Sequence, residues 1–179
     1  IRTPWAQLRQ NARQFYPLHD RYAGGALNLQ LLAAIRTMAD RYLASLGYPE
    51  AAPELVPVDA SLSVPVYLEM KKSNGAPLLW VMLSASRESD AGILESNVFD
   101  GNIAEEDAFG AVHSDDLLEL KNEDLATQIL FGAAEPPRFL LFISLNQIAL
   151  IDRNKWSEKR YLQFELEDIF SCLLYTSPS

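Results

Sequence analysis

The chain has a single cysteine, Cys172, in 179 residues, so it cannot close an intrachain disulfide and carries no cysteine-based metal motif. Its two histidines, His19 and His113, stand alone without ligand spacing around them, which is the pattern of ordinary polar residues rather than of a zinc set. No apolar run approaches the roughly 20 residues that a membrane-spanning helix needs. Gly24-Gly25 is not a dinucleotide fingerprint, no phosphate-binding loop occurs, and nothing marks a nucleophilic triad. Bases are outnumbered 15 to 24, giving a net charge of −9 and a pI near 4.7, which argues against nucleic-acid binding by the chain as a whole. What is present is 49% hydrophobic and 22% charged residues, the composition of a soluble, cytoplasmic globular protein long enough for one domain with a sizeable core.

The charge is uneven. Residues 1–47 carry Arg2, Arg9, Arg13, Arg21, Arg36 and Arg41 against Asp20 and Asp40. Residues 88–135 carry thirteen acids and a single base, Lys121, a stretch suited to recruiting a partner subunit. A second basic cluster, "RNKWSEKR", holds Arg153, Lys155, Lys159 and Arg160, which are the candidate contacts to nucleic-acid phosphates. Blocks this short are commonly plain solvated faces. The opening "IRTPWAQLRQ" has neither an initiator methionine nor an apolar signal region, so the expected start lies upstream. The closing "CLLYTSPS" resembles a translated sequencing adapter. The expectation is therefore one domain over residues 1–171 of a longer protein, with 172–179 an adapter-derived artefact that makes no specific packing.

Thr3 as N-cap and Pro4 at the first helical position open a short amphipathic helix bearing Trp5, Leu8, Ala12 and Phe15. "YAGG" interrupts it. From about Ala26, Leu27, Leu31, Ile35, Met38, Tyr42 and Leu46 recur at helical spacing until Gly47 and Pro49. Three β-type stretches follow at 54–58, 64–71 and 77–85, the last two joined as a hairpin by the turn signal "SNG" at 73–75. Residues 86–121 read as a long polar excursion with a short helix in "SDDLLEL". "NEDLATQILFG" reads as a helix capped by Asn122 and ended by Gly132. A second hairpin pairs Phe139–Ser144 with Gln147–Asp152, and "KRYLQFELEDIF" adds a strand and the first turn of a helix. The order predicts an α/β (α+β) fold built on one mixed sheet, with two N-terminal helices and two β-hairpins.

Asp59, followed ten residues later by Glu69 and then Lys71, is the one constellation with catalytic chemistry. Residues two apart on a strand share a face, so Glu69 and Lys71 point together while Val66, Leu68 and Met70 face the core. Asp59 and Glu69 could hold Mg²⁺ through oxygen, and Lys71 could orient water or neutralise a scissile phosphate, giving a metal-dependent nuclease. The plain alternative is a surface ion pair on an amphipathic strand. A second register competes as well. In the nuclease-like N-terminal domains of restriction enzymes, Glu-x-Lys often follows an Asn-Gly-x-Pro-Leu turn, and Asn74-Gly75-Ala76-Pro77-Leu78 is such a turn. That alignment puts Met82 and Ser84 where the catalytic Glu and Lys would stand, and neither can hold a metal in that way.

"PPRFLLFISLNQIALIDRNKWSEKRYLQFELEDIF", residues 136–170, resembles a segment near the N-terminus of large class I S-adenosylmethionine-dependent, adenine-specific DNA methyltransferases of restriction-modification and phage-defence systems. "FYPLHDRYAGG", "RYLASLGYP" and "NGAPLLWVMLSASRE" fit the same region, so the likeness spans most of residues 3–170. The resemblance implies a restriction-endonuclease-like sheet kept as scaffold, DNA as the partner of the parent protein, and S-adenosylmethionine as the parent's cofactor. That family's Phe-x-Gly-x-Gly cofactor loop and Asn/Asp-Pro-Pro-Tyr/Phe catalytic motif are absent here, so no methylase residue is carried over and no cofactor is expected in this segment. Methyl transfer in the parent would act on an adenine flipped out of the duplex. The other readings are the nuclease of Asp59, Glu69 and Lys71, and an interaction domain without catalysis.

Overall fold

The computed structural model describes residues 4–22, 29–84, 92–96 and 120–175. Two helices come first, α1 (Pro4–Tyr22) and α2 (Leu29–Ser45). Contrary to the short helix expected, α1 runs on through Pro17. A proline removes one helical N–H, but Phe15 beneath it is buried and Leu18 beyond it packs on the core, so tertiary contacts carry the helix across. α2 stops as predicted. Gly47 adopts φ +85, Tyr48 N–H donates to Leu43 O at 2.9 Å and Gly47 N–H to Ala44 O at 3.1 Å, the double bond that closes a helix through a left-handed residue. The expected helix start near Ala26 and the helix in "SDDLLEL" lie outside the described residues, as does His113.

Short strands follow: β1 (Glu54–Pro57), β2 (Ser63–Val66), β3 (Leu68–Lys71) and β4 (Pro77–Leu83). After them come α3 (Asn122–Gly132), β5 (Phe139–Ile143), β6 (Gln147–Asp152), the single turn α4 (Arg153–Trp156), β7 (Leu162–Glu165) and α5 (Leu166–Tyr175). β1 and β2 form an antiparallel ladder of their own, and the main sheet has the order β3-β4-β5-β6-β7. Within it β4 and β5 are parallel and every other pairing is antiparallel, so the mixed α/β architecture read from the sequence is present.

The stretch expected as one strand over 64–71 is broken at Tyr67. Its N–H donates to Val81 O at 2.8 Å, its ring is buried and its hydroxyl donates to Asp40. Tyr67 thus steps the chain from the β1–β2 ladder onto the main sheet. The turn between β3 and β4 is the predicted one: Gly75 takes φ +84, where only glycine sits without strain, and Ala76 N–H donates to Asn74 Oδ1 at 3.0 Å.

Both faces of the sheet are covered. Leu79, Val81, Leu83, Leu141 and Ile143 face one way, and Trp80, Met82, Leu140, Phe142 and Ala149 the other, all of them buried. α1 packs against both α2 and α5 on the first face. Phe15, Tyr42 and Phe170 knit those three helices together, with Phe170 5.0 Å from the Phe15 ring centroid and 5.8 Å from that of Tyr42. α3 turns buried Leu125, Ala126, Ile129 and Leu130 inward. Asn122 is its first residue rather than its cap: the side chain points into the core and donates to Ser84 Oγ at 3.0 Å and Ile93 O at 2.8 Å, tying α3 to the end of β4. Gly132 is the last residue of the helix, as expected, and Ala133 N–H caps it by donating to Ile129 O.

Candidate functional site

Asp59 lies in the turn that joins β1 to β2. Its Oδ1 accepts from Ser61 N–H at 2.7 Å, Ser61 Oγ at 2.9 Å and Leu62 N–H at 2.9 Å. The Ser61 N–H and hydroxyl, then the Leu62 N–H, stabilise the charged form and hold its carboxyl below the usual aspartate range. The sequence placed this acid in a metal site, whereas its oxygen is engaged in folding its own turn.

Glu69 lies on β3, the edge strand, directly opposite Trp80 of β4. Sequence patterning set it on a solvent face, but Trp80 is only 2% exposed and the Glu69 side chain 15%. The physical reason is the hairpin register: it aligns Glu69 with a buried indole whose N–H must find an acceptor. Trp80 Nε1 donates to Glu69 Oε2 at 2.6 Å, and Lys71, 60% exposed, pairs with Oε1 at 3.4 Å. Lys71 and Glu69 therefore do share a face, as expected, and make the ion pair that was the plain alternative. Asp59 belongs to a different ladder, with partners of its own. Among the described residues no group of three His, Cys, Asp or Glu side chains is arranged to hold a metal ion. Both Glu69 oxygens and Asp59 Oδ1 are taken by protein partners, and Asp59 and Glu69 sit in separate ladders, so no hydrolytic step is derived through them.

Met82 and Ser84, the alternative register, lie at the buried end of β4. Met82 is 3% exposed and Ser84 0%. The Ser84 N–H donates to Ile143 O at 2.8 Å and its hydroxyl takes the Asn122 amide, so this position is closed to water and to DNA.

The basic cluster gathers where β6 runs into α4. Arg153 donates through Nη1 to Pro136 O at 2.9 Å, which fixes its head against the loop before β5. Lys159 lies 4.6 Å over the ring of Trp156, and Arg160 pairs with Glu158 at 3.3 Å. Lys155 is exposed beside Asp152, whose carboxyl is pushed up by partial burial but pulled down overall by the Asn154 N–H, Arg138 and Lys155. Arg153, Lys155, Lys159 and Arg160 thus follow one another around α4, with Lys155, Lys159 and Arg160 exposed and Arg160 already paired with Glu158.

A cavity of about 580 Å³, announced by no local pattern of residues, lies between the first face of the sheet and helices α1, α2 and α5. Among the described residues its walls are aliphatic and aromatic, with polar side-chain groups only on Tyr42 and Tyr48. Burial pushes the Tyr42 hydroxyl well above its usual range. Among the described residues the lining is almost wholly apolar, so the cavity is built for apolar contact. Among the described residues no helix is long and apolar enough to cross a membrane.

With this geometry in hand, the chain matches no protein-family model, no curated protein and no solved structure.

Proposed function

We propose that residues 1–171 form a non-catalytic, nuclease-derived domain of a DNA-modifying adenine methyltransferase in a restriction-modification or defence system. The observation that carries this reading is β4. It follows the Asn74-Gly75 turn, pairs with a hairpin strand on one side and a parallel strand on the other, and bears Met82 and Ser84 where a nuclease of this kind would bear its acid and lysine. Both are buried, Ser84 under the Asn122 amide at the start of α3, so the hairpin serves as scaffold. The exposed cations Lys155, Lys159 and Arg160 supply phosphate contacts that position the domain on DNA without reading sequence. S-adenosylmethionine would be held by a glycine-rich loop elsewhere in the parent, and no residue of this chain is assigned to it.

The test is the product of the uninterrupted native gene. It should methylate adenine using S-adenosylmethionine, and a Glu69→Ala variant should methylate as well as the parent, because Glu69 serves Trp80 and Lys71 within the hairpin. A gene product lacking both methylase motifs overturns the reading. So does Mg²⁺- or Mn²⁺-dependent DNA cleavage that disappears in Glu69→Ala and Lys71→Ala.

A further inference from the structure

β7 ends the main sheet and, among the described residues, pairs with β6 alone. Leu166 N–H donates to Asn146 O at 2.9 Å, and the register continues as Gln147↔Glu165, Ile148↔Phe164, Ala149↔Gln163 and Leu150↔Leu162. Bonded pairs alternate along an antiparallel ladder. Phe164 and Leu162 therefore spend their backbone groups on β6, while those of Gln163 and Glu165 face outward. Exposed edges are normally guarded by proline, a bulge or a charged residue such as lysine. β7 has no proline and no register shift, its one charged residue is Glu165 at its end, and all four of its residues are exposed. Leu162 and Phe164, 57% and 42% exposed, continue the apolar surface of the cavity rim formed by Ile169 and Leu46.

We propose that this edge is the interface of a homodimer, in which two copies of the chain pair their β7 strands antiparallel about a twofold axis at Gln163. The strand is its own complement in this arrangement. Leu162 of each copy lies across from Phe164 of the other, covering the exposed apolar pair, and Gln163 meets Gln163, whose amide can both donate and accept. The ends of the strand differ in charge: Glu158, Lys159 and Arg160, with Arg160 paired to Glu158, leave one net positive charge before it, and Glu165, Glu167 and Asp168 end it and open α5. Antiparallel pairing sets the bases of one copy beside the acids of the other. Parallel pairing would set like on like, and an axis at Glu165 would oppose two carboxylates, both unfavourable. The interface is isologous, so it closes as a dimer and does not propagate.

The experiment is sedimentation equilibrium of the full chain over a wide concentration range. The expected species has twice the 20.0 kDa chain mass and dissociates on dilution. Phe164→Asp should weaken self-association by at least about tenfold, one such factor per 1.4 kcal/mol of lost contact, with an unchanged circular dichroism spectrum. Joint Lys159→Glu and Arg160→Glu reversal should weaken it similarly, and adding Glu167→Lys and Asp168→Lys in the same chain should restore it. Should Phe164→Asp fail to fold, the exposed charge reversals decide. A monomer at every concentration overturns the proposal, as does a dimer indifferent to both sets of changes. A chain that stays monomeric and instead takes up an unrelated extended peptide along β7 overturns it as well.

Discussion

Glu69 and Asp59 show how the same residue type serves different ends according to its neighbours. Removing the Glu69 carboxylate strands a buried indole N–H, and an unsatisfied buried donor costs about 1–3 kcal/mol. Glu69→Ala should lower the free energy of urea unfolding by that amount, whereas Glu69→Gln, which keeps an acceptor for Trp80, should cost less. Lys71→Ala should cost under about 1 kcal/mol, since its side of the ion pair is exposed. Equal losses for Glu69→Gln and Glu69→Ala would show that the Trp80 bond is not the source. Asp59 has its carboxyl held below the usual range, so its folded value lies below its unfolded one. The stabilisation is complete above the unfolded pKa and is lost as pH falls through the folded one. An NMR titration should find the Asp59 midpoint below the ordinary aspartate range, with the Ser61 and Leu62 amides gaining exchange only in that acidic window. A midpoint in the ordinary range would contradict the turn as described. From the sequence Asp59, Glu69 and Lys71 could be named but not assigned, because Trp80, the residue that decides what Glu69 does, sits across the hairpin rather than along the strand.

The two hairpins and the helix stops were legible because they rest on local chemistry: Asn74-Gly75 for the first turn, Leu145-Asn146 for the second, Gly47 for the end of α2. The break at Tyr67 was not. Residues 64–71 form an uninterrupted β-type stretch, and only the choice of neighbours, β1 before Tyr67 and β4 after it, divides them. The helical segment after β7 was expected as a single turn beginning the last element, and it extends to Tyr175. Its anchor is Phe170, 1% exposed and wedged between Phe15 and Tyr42. Emptying that position should cost about 3–5 kcal/mol, the usual range for a buried Phe→Ala. Deleting residues 172–179, which begin at exposed Cys172, should cost less than Phe170→Ala in the same thermal or urea unfolding measurement. A larger loss on deletion would mean that the tail is a genuine part of the packed helix.

For the whole molecule, a net charge of −9 sets the terms of any contact with DNA. Any binding must draw on the Arg-bearing N-terminal helices or on Arg153, Lys155, Lys159 and Arg160, so it should be weak, indifferent to sequence, and should fall steeply between about 50 and 200 mM salt as counterions are no longer released to advantage. Fluorescence anisotropy with unrelated duplexes checks this, and tight site-specific binding at physiological salt would refute it. The cavity and the open edge of β7 were invisible in the sequence, because both arise from which elements are brought side by side. So does the parallel pairing of β4 with β5, which has a kinetic consequence. The β3–β4 and β5–β6 hairpins join residues close in sequence and should form within microseconds. The central pair must instead draw together strands separated by residues 84–138 before either gains from the contact. Closing a loop costs only about 0.6 kcal/mol more for each doubling of its length, but such distant contacts slow folding. Refolding followed by stopped-flow should therefore be far slower than the microseconds of the two hairpins, so the chain pays for its distant pairing in time rather than in stability.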